Sequence, residues 1–145
     1  MSSAPQAATS DLSALGFRLN FFKLVVRDVD AMAAFYARAF GFEERRDRVK
    51  VPGIEEAMLT LLGEQFTLVL YHWTDGREIA IGSGHGPVGF LTDDVDAAYA
   101  HALTSGAQPL YAPFDMASMR IAFVRDPEGH EIEMIQFRRP AAAKE

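Results

Sequence analysis

Cysteine is absent from this 145-residue chain. That excludes disulfides, thiolate metal sites and cysteine nucleophiles. No apolar run approaches the roughly 20 residues that cross a bilayer. Cations are in the minority, with 14 Lys and Arg against 20 Asp and Glu, a net charge of −6. Phosphate backbones need clustered cations, so neither nucleic acid nor a membrane surface is an expected partner. The one basic run, Arg45, Arg46, Arg48 and Lys50, follows Glu43 and Glu44 and reads as the solvated face of a strand. Met1 to Ser10 lack both a basic start and an apolar stretch, which does not read as a secretory signal. The expectation is a cytoplasmic protein with a flexible tail over residues 1–16 and another over residues 138–145. Hydrophobic residues make up 49%, enough at this length for one core in one domain, over residues 17–137.

The chain repeats itself. Asp28-Val29-Asp30-Ala31 recurs as Asp94-Val95-Asp96-Ala97, each after an apolar, strand-like run. From the first valine, Val29, Met32, Ala33, Tyr36, Ala37 and Phe40 fall on one helical face; Val95, Ala98, Tyr99, Ala102 and Leu103 repeat the phase. An aspartate stands ready to cap each helix, and Gly41 and Gly106 mark where each should stop. Strands are expected at 42–51, 55–62 and 66–73 after the first helix, and at 108–113, 120–124 and 130–137 after the second, with Asp126-Pro127-Glu128-Gly129 turning into the last.

Each half thus reads as strand–helix–strand–strand–strand: a first module over residues 17–73, a glycine-rich linker over 74–86, and a second module over 87–137. One such half cannot bury both faces of its sheet. The expected fold is α+β, two βαβββ modules side by side in a curved eight-stranded mixed sheet, with a central cup for a ligand and helices outside.

Two stretches carry a family resemblance. Val25-Val26-Arg27-Asp28-Val29, Phe35-Tyr36 and Phe40-Gly41-Phe42 resemble the opening module of the vicinal-oxygen-chelate (VOC) superfamily, which holds glyoxalase-like, bleomycin-resistance and dioxygenase proteins. Arg125-Asp126-Pro127-Glu128-Gly129-His130-Glu131-Ile132-Glu133 resembles the closing strand of that family, where a D-P-[DE]-G turn leads to a glutamate. The resemblance implies a cup that, in metal-dependent members, holds a divalent ion between side chains from the first and last strands of each half. It also implies a homodimer. Chemistry within the family is varied, so the site has to be argued residue by residue.

At the four positions the resemblance assigns to ligands, Phe21 and Pro87 offer no donor, and neither do Leu68 or Leu70 on the last strand of the first half. Only Glu133 fits. The expectation is therefore no cofactor. One divalent ion held by displaced ligands His72, His85 and Glu133 is the alternative. Glu133 alternates with Ile132 and Met134 and should point into the cup, as a general base, a surviving ligand, or the partner of Lys23. Lys23 shares the cup face with Phe21 and could hold an anionic group or a developing enolate. The expected catalytic set is Glu133, His72 and Lys23, with Phe21, Leu70, Trp73 and Arg120 as ligand contacts. The expected function is small-molecule binding in the cup, for simple acid–base chemistry or for sequestration. The alternatives are a divergent metal-dependent lyase or dioxygenase, and a drug-resistance binding protein.

Overall fold

Both predicted helices begin where a side-chain oxygen waits for them. A computed structural model of the chain describes residues 9–138. In it α2 (Val29–Phe40) starts after Asp28, whose carboxylate accepts the Ala31 amide; α3 (Val95–Thr104) starts after Asp94, which accepts from Ala97 in the same way. These bonds satisfy amides that have no partner inside the helix. Gly41 ends α2 in the left-handed region, at φ 80°, where a side chain would be strained.

The strands fall into two sheets of the same design. In the first, β1 (Phe21–Val25) lies parallel to β5 (Thr67–Trp73), which pairs antiparallel with β4 (Ile54–Thr60); β2 (Glu43–Glu44) and β3 (Val49–Val51) pair with β4. In the second, β6 (Val88–Leu91) lies parallel to β9 (Glu131–Phe137), followed by β8 (Met119–Arg125) and β7 (Gln108–Met116). The α+β class and the duplicated βαβββ plan are those the sequence implied.

Three features differ from expectation. The segment expected as one strand over 42–51 splits into β2 and β3, because Arg48 turns to meet the carboxylates of Glu44, Glu55 and Asp30. A short helix, α1 (Thr9–Leu15), forms within the stretch expected to be a tail, and Arg138 of the other expected tail donates its amide to the Ser118 carbonyl; residues 1–8 and 139–145 lie outside the described residues. The sheets are also separate hydrogen-bonded units, with β1 and β6 each at the end of its own sheet.

Packing between the halves runs through the helices. Leu24, Met32, Phe35, Tyr36, Leu68 and Leu70 of the first half share one core with Val95, Ala102, Val124, Ile132 and Met134 of the second. Each such Val, Leu, Ile, Met or Phe side chain contributes about 1.5–3 kcal/mol on burial. The Phe40 and Phe90 rings stack across the seam at 4.3 Å, and α2 touches α3 directly. The helix layer therefore sits at the seam instead of outside it, and the sheet faces turned away from the helices do not close a cup within the chain. No helix among the described residues is long and apolar enough to cross a membrane.

Candidate functional site

Alternation along β1 sorts its residues. Leu24 is buried under α2, so Lys23 and Phe21 point to the opposite, open face. The same rule on β5 turns Leu68 and Leu70 into the shared core and leaves Val69, itself buried, with Tyr71 and Trp73 beside Lys23. On β4 it buries Ala57 and Leu59 and turns out Glu56 and Met58. Lys23 Nζ lies 2.9 Å from Glu56 Oε2. It also sits 5.0 Å from the centre of the Tyr71 ring and 5.8 Å from that of Phe21. A carboxylate whose side chain is only 12% exposed requires a partner, and the ammonium supplies one. Sequence reasoning missed Glu56. The sequence offered little signal for it: β4 carries two adjacent charges, Glu55 and Glu56, and nothing local says which of them faces Lys23.

Glu133 lies on β9 between Ile132 and Met134, both buried, and faces away from the helices as alternation required. Its register neighbours are Gly89 on β6 and Phe123 on β8. Gly89 has open space where a Cβ would stand, so the carboxylate has room on that side. Glu133 and Lys23 occupy different sheets, and the ion pair of Lys23 goes to Glu56. The neutralisation of Glu133 by Lys23 considered from the sequence is replaced by that pair.

The remaining expected residues are scattered, for reasons of strand parity and charge. Leu70 is fully buried in the core, so the wall on the open face is Tyr71, one residue along. His72 shares the parity of Leu70 and turns to the helix side, where its Nδ1 donates to the Val26 carbonyl at 2.9 Å. Its other nitrogen is left for a hollow of about 410 Å³ lined by Arg27, His72, Trp73, Arg77 and Ile79 among others. Trp73 stands between this hollow and the open face, edge-on to Tyr71 and covered by the Arg77 guanidinium at 3.7 Å. His85 precedes β6 in an exposed loop, with Nδ1 at 2.9 Å from the Gly86 carbonyl oxygen. Arg120 is held by Asp96 and Asp115, so its guanidinium already has anionic partners at the start of α3. A second hollow, of about 430 Å³, lies at the helix seam by Phe40, Phe90 and His101.

The divalent ion that the fold implies meets a poor donor set. Phe21, Pro87 and either Leu68 or Leu70 carry no ligand atom, which leaves Glu133 alone at the four positions. Among the described residues no three His, Asp or Glu side chains gather to hold a metal. The residues present do not fit that ion.

Comparison with known proteins agrees with this architecture. The glyoxalase I of Zea mays superposes with a TM-score of 0.74 at 26% identity, over 84% of this chain and 45% of the maize chain. This chain thus spans less than half the length of that relative. The trypanothione-dependent glyoxalase I of Leishmania major gives 0.71 at 21% identity, over 83% and 87% of the two chains. A superfamily member from Sphaerobacter thermophilus gives 0.70 at 22%, over 84% and 98%. No curated protein sequence matches the chain. The family model described as Glyoxalase/Bleomycin resistance protein/Dioxygenase superfamily matches residues 18–134. With nearly the whole folded region matched and both modules in place, the chain belongs to the glyoxalase/bleomycin resistance/dioxygenase (VOC) superfamily.

Proposed function

We propose that this protein binds a small molecule on the open face of its first sheet, without a metal, and that Lys23 is the group that orients it. The observation that carries the reading is the Lys23–Glu56 pair at 2.9 Å, flanked by Phe21 and Tyr71 on a face that no helix covers. Two rings and an ammonium suit a planar ligand with a carbonyl or anionic oxygen: the rings take the flat body, the ammonium takes the oxygen. In an enzyme, a carboxylate accepts a proton from the carbon beside that carbonyl, and Lys23 stabilises the enolate oxygen. Glu133 is the carboxylate assigned this role, from a second sheet laid against the first. In a sequestering protein the same groups only orient the ligand.

A homodimer would bring such a sheet into place. The open edges β1 and β6 and exposed Phe21, Leu91 and Phe137 support it. A cytoplasmic setting is proposed with it. The separate reading of a drug-resistance protein that sequesters a cationic compound would not use Lys23 and rests on the net charge of −6.

The first test is metal content after dialysis against zinc, nickel, manganese and iron(II), followed by ligand screening. The expected result is no stoichiometric ion, and ligands whose affinity falls at least tenfold in Lys23→Ala. An ion retained by the protein and lost in Glu133→Ala or His72→Ala would establish the divergent lyase or dioxygenase instead. For a ligand that is turned over, Glu133→Ala should abolish turnover; if only sequestered, the variant should keep most of its affinity.

A further inference from the structure

The turn Asp126–His130 does more than reverse the chain. Asp126 is fully buried and His130 is 2% exposed. Both oxygens of Asp126 are filled: Oδ1 accepts the Glu128 and His130 amides at 3.0 and 2.9 Å, and Oδ2 accepts the Tyr36 hydroxyl at 2.8 Å. His130 Nδ1 also lies 2.8 Å from Oδ2, and its Nε2 lies 2.8 Å from the carbonyl oxygen of Val25, in the other module. A backbone carbonyl only accepts, so Nε2 must carry a proton. The carboxylate, already the acceptor of three donors, requires a second proton between Oδ2 and Nδ1. Whichever atom holds that proton, the pair is one proton richer than a neutral imidazole beside a carboxylate.

We propose that His130 is a proton-dependent clasp joining the two modules, a positioning residue that fixes the strand of Lys23 against the strand of Glu133. Val25 stands two residues after Lys23 on β1, and His130, immediately before β9, three before Glu133. The clasp has a second arm close by: the Glu128 carboxylate accepts the amides of Arg27 and Asp28 at 2.6 and 2.9 Å. The charged or titratable groups facing His130 are Asp126 and Glu128 from its own turn and Tyr36 from α2, with Arg27 held outside by Glu128. Removing the extra proton leaves one N–H for two acceptors. Either the Val25 carbonyl or Asp126 then faces a lone pair at 2.8 Å, and that bond must open. Burial pulls the pKa of His130 down, but the hydrogen bond and charge of Asp126 outweigh it and hold the group above its usual 6.5. A group raised on folding contributes stability that is complete below its unfolded pKa and disappears as pH climbs through its folded one. The clasp is therefore closed below about pH 6.5 and opens on the alkaline side. None of this depends on what the open face binds.

The test uses the full chain with ¹⁵N-labelled histidine. His130 is one of four histidines, and its ring signals are assigned by their loss in His130→Gln. At pH 6 the expected pattern is that of an imidazolium, both ring nitrogens alike, converting to a neutral ring above the range of the exposed histidines. A ring pattern that does not change between pH 6 and pH 9 overturns the proposal. Amide exchange reads the positioning: in His130→Gln at pH 6, the Arg27 and Asp28 amides should exchange about tenfold faster, the scale of one lost hydrogen bond, while those between β4 and β5 hold. Equal exchange at the seam in both proteins also overturns it. Should the variant fail to fold, the same amides in the wild type should loosen between pH 6 and pH 9, and constant protection across that range counts against the clasp.

Discussion

Lys23 and Glu56 form an ion pair whose ends see different amounts of water, 41% against 12% side-chain exposure. Their removal should accordingly be unequal. Lys23→Met strands a nearly buried carboxylate and should cost about 1–2 kcal/mol in urea unfolding at neutral pH. Glu56→Gln releases an ammonium that water can reach, so its cost should stay under about 1 kcal/mol after solvent screening. Equal losses would show that the pair is not differentially buried. The facing of Lys23 and Glu133 was legible in the sequence because each neighbours residues that are buried, Leu24 on β1 and Ile132 and Met134 on β9, although Phe22, 44% exposed, breaks the alternation on β1. The same rule, set one residue out of phase on β5, placed Leu70 on the open face where Tyr71 stands. A run as uniformly apolar as Leu68-Val69-Leu70, buried on both parities, gives no mark of which side faces the helices. Tyr36 shows the other limit. Its hydroxyl reaches Asp126, 90 positions away, and burial with that carboxylate pushes its pKa well above the ordinary value. Helical periodicity identified its ring as core and carried nothing about its oxygen. Tyr36→Phe keeps the ring and should cost about 1–2 kcal/mol, read by chemical denaturation.

The two helices carry matched aspartate caps, and matched substitutions test whether the duplication is energetic as well as formal. Asp28→Ala and Asp94→Ala should each cost about 0.5–2 kcal/mol. The Asp28 change should sit toward the upper end, because the amide of Asp28 also binds Glu128 across the seam and a shift in the cap disturbs that bond. Gly41→Ala, at φ 80°, should cost about 1 kcal/mol through left-handed strain alone. Thermal melts at one pH rank all three. The helices were readable because caps, period and stop signals agreed in both copies. The segment from Glu43 to Val51 was not, since β-propensity carries no record of where Arg48 will find three carboxylates. The helix Thr9–Leu15 likewise has no amphipathic pattern to announce it, and its Leu12 and Leu15 are exposed.

For the molecule as a whole, open sheet faces and edges predict self-association. Sedimentation should give a dimer at micromolar concentration. Leu91→Glu and Phe137→Glu, at sites 72% and 60% exposed in the single chain, should shift it to monomer with little change in the unfolding of each chain. A wild-type monomer under those conditions would contradict the proposed second copy. Duplication itself was legible in the sequence, from one repeated tetrapeptide and the shared apolar phase of the two helices it opens. The seam between the modules was not, because it depends on Phe40 of α2 meeting Phe90 of β6 and on His130 meeting Val25 of β1, contacts between residues whose local patterns are complete without them. That remoteness has a consequence for synthesis on the ribosome. The first module has all its strands once Trp73 has emerged, but the histidine that reaches its Val25 carbonyl and the aspartate that receives its Tyr36 hydroxyl emerge more than fifty residues later. At typical translation rates that is several seconds, during which the nascent half carries an uncovered apolar helix surface and two polar groups awaiting partners. It is the interval in which a chaperone, or a neighbouring nascent chain supplying its own second half, would engage it.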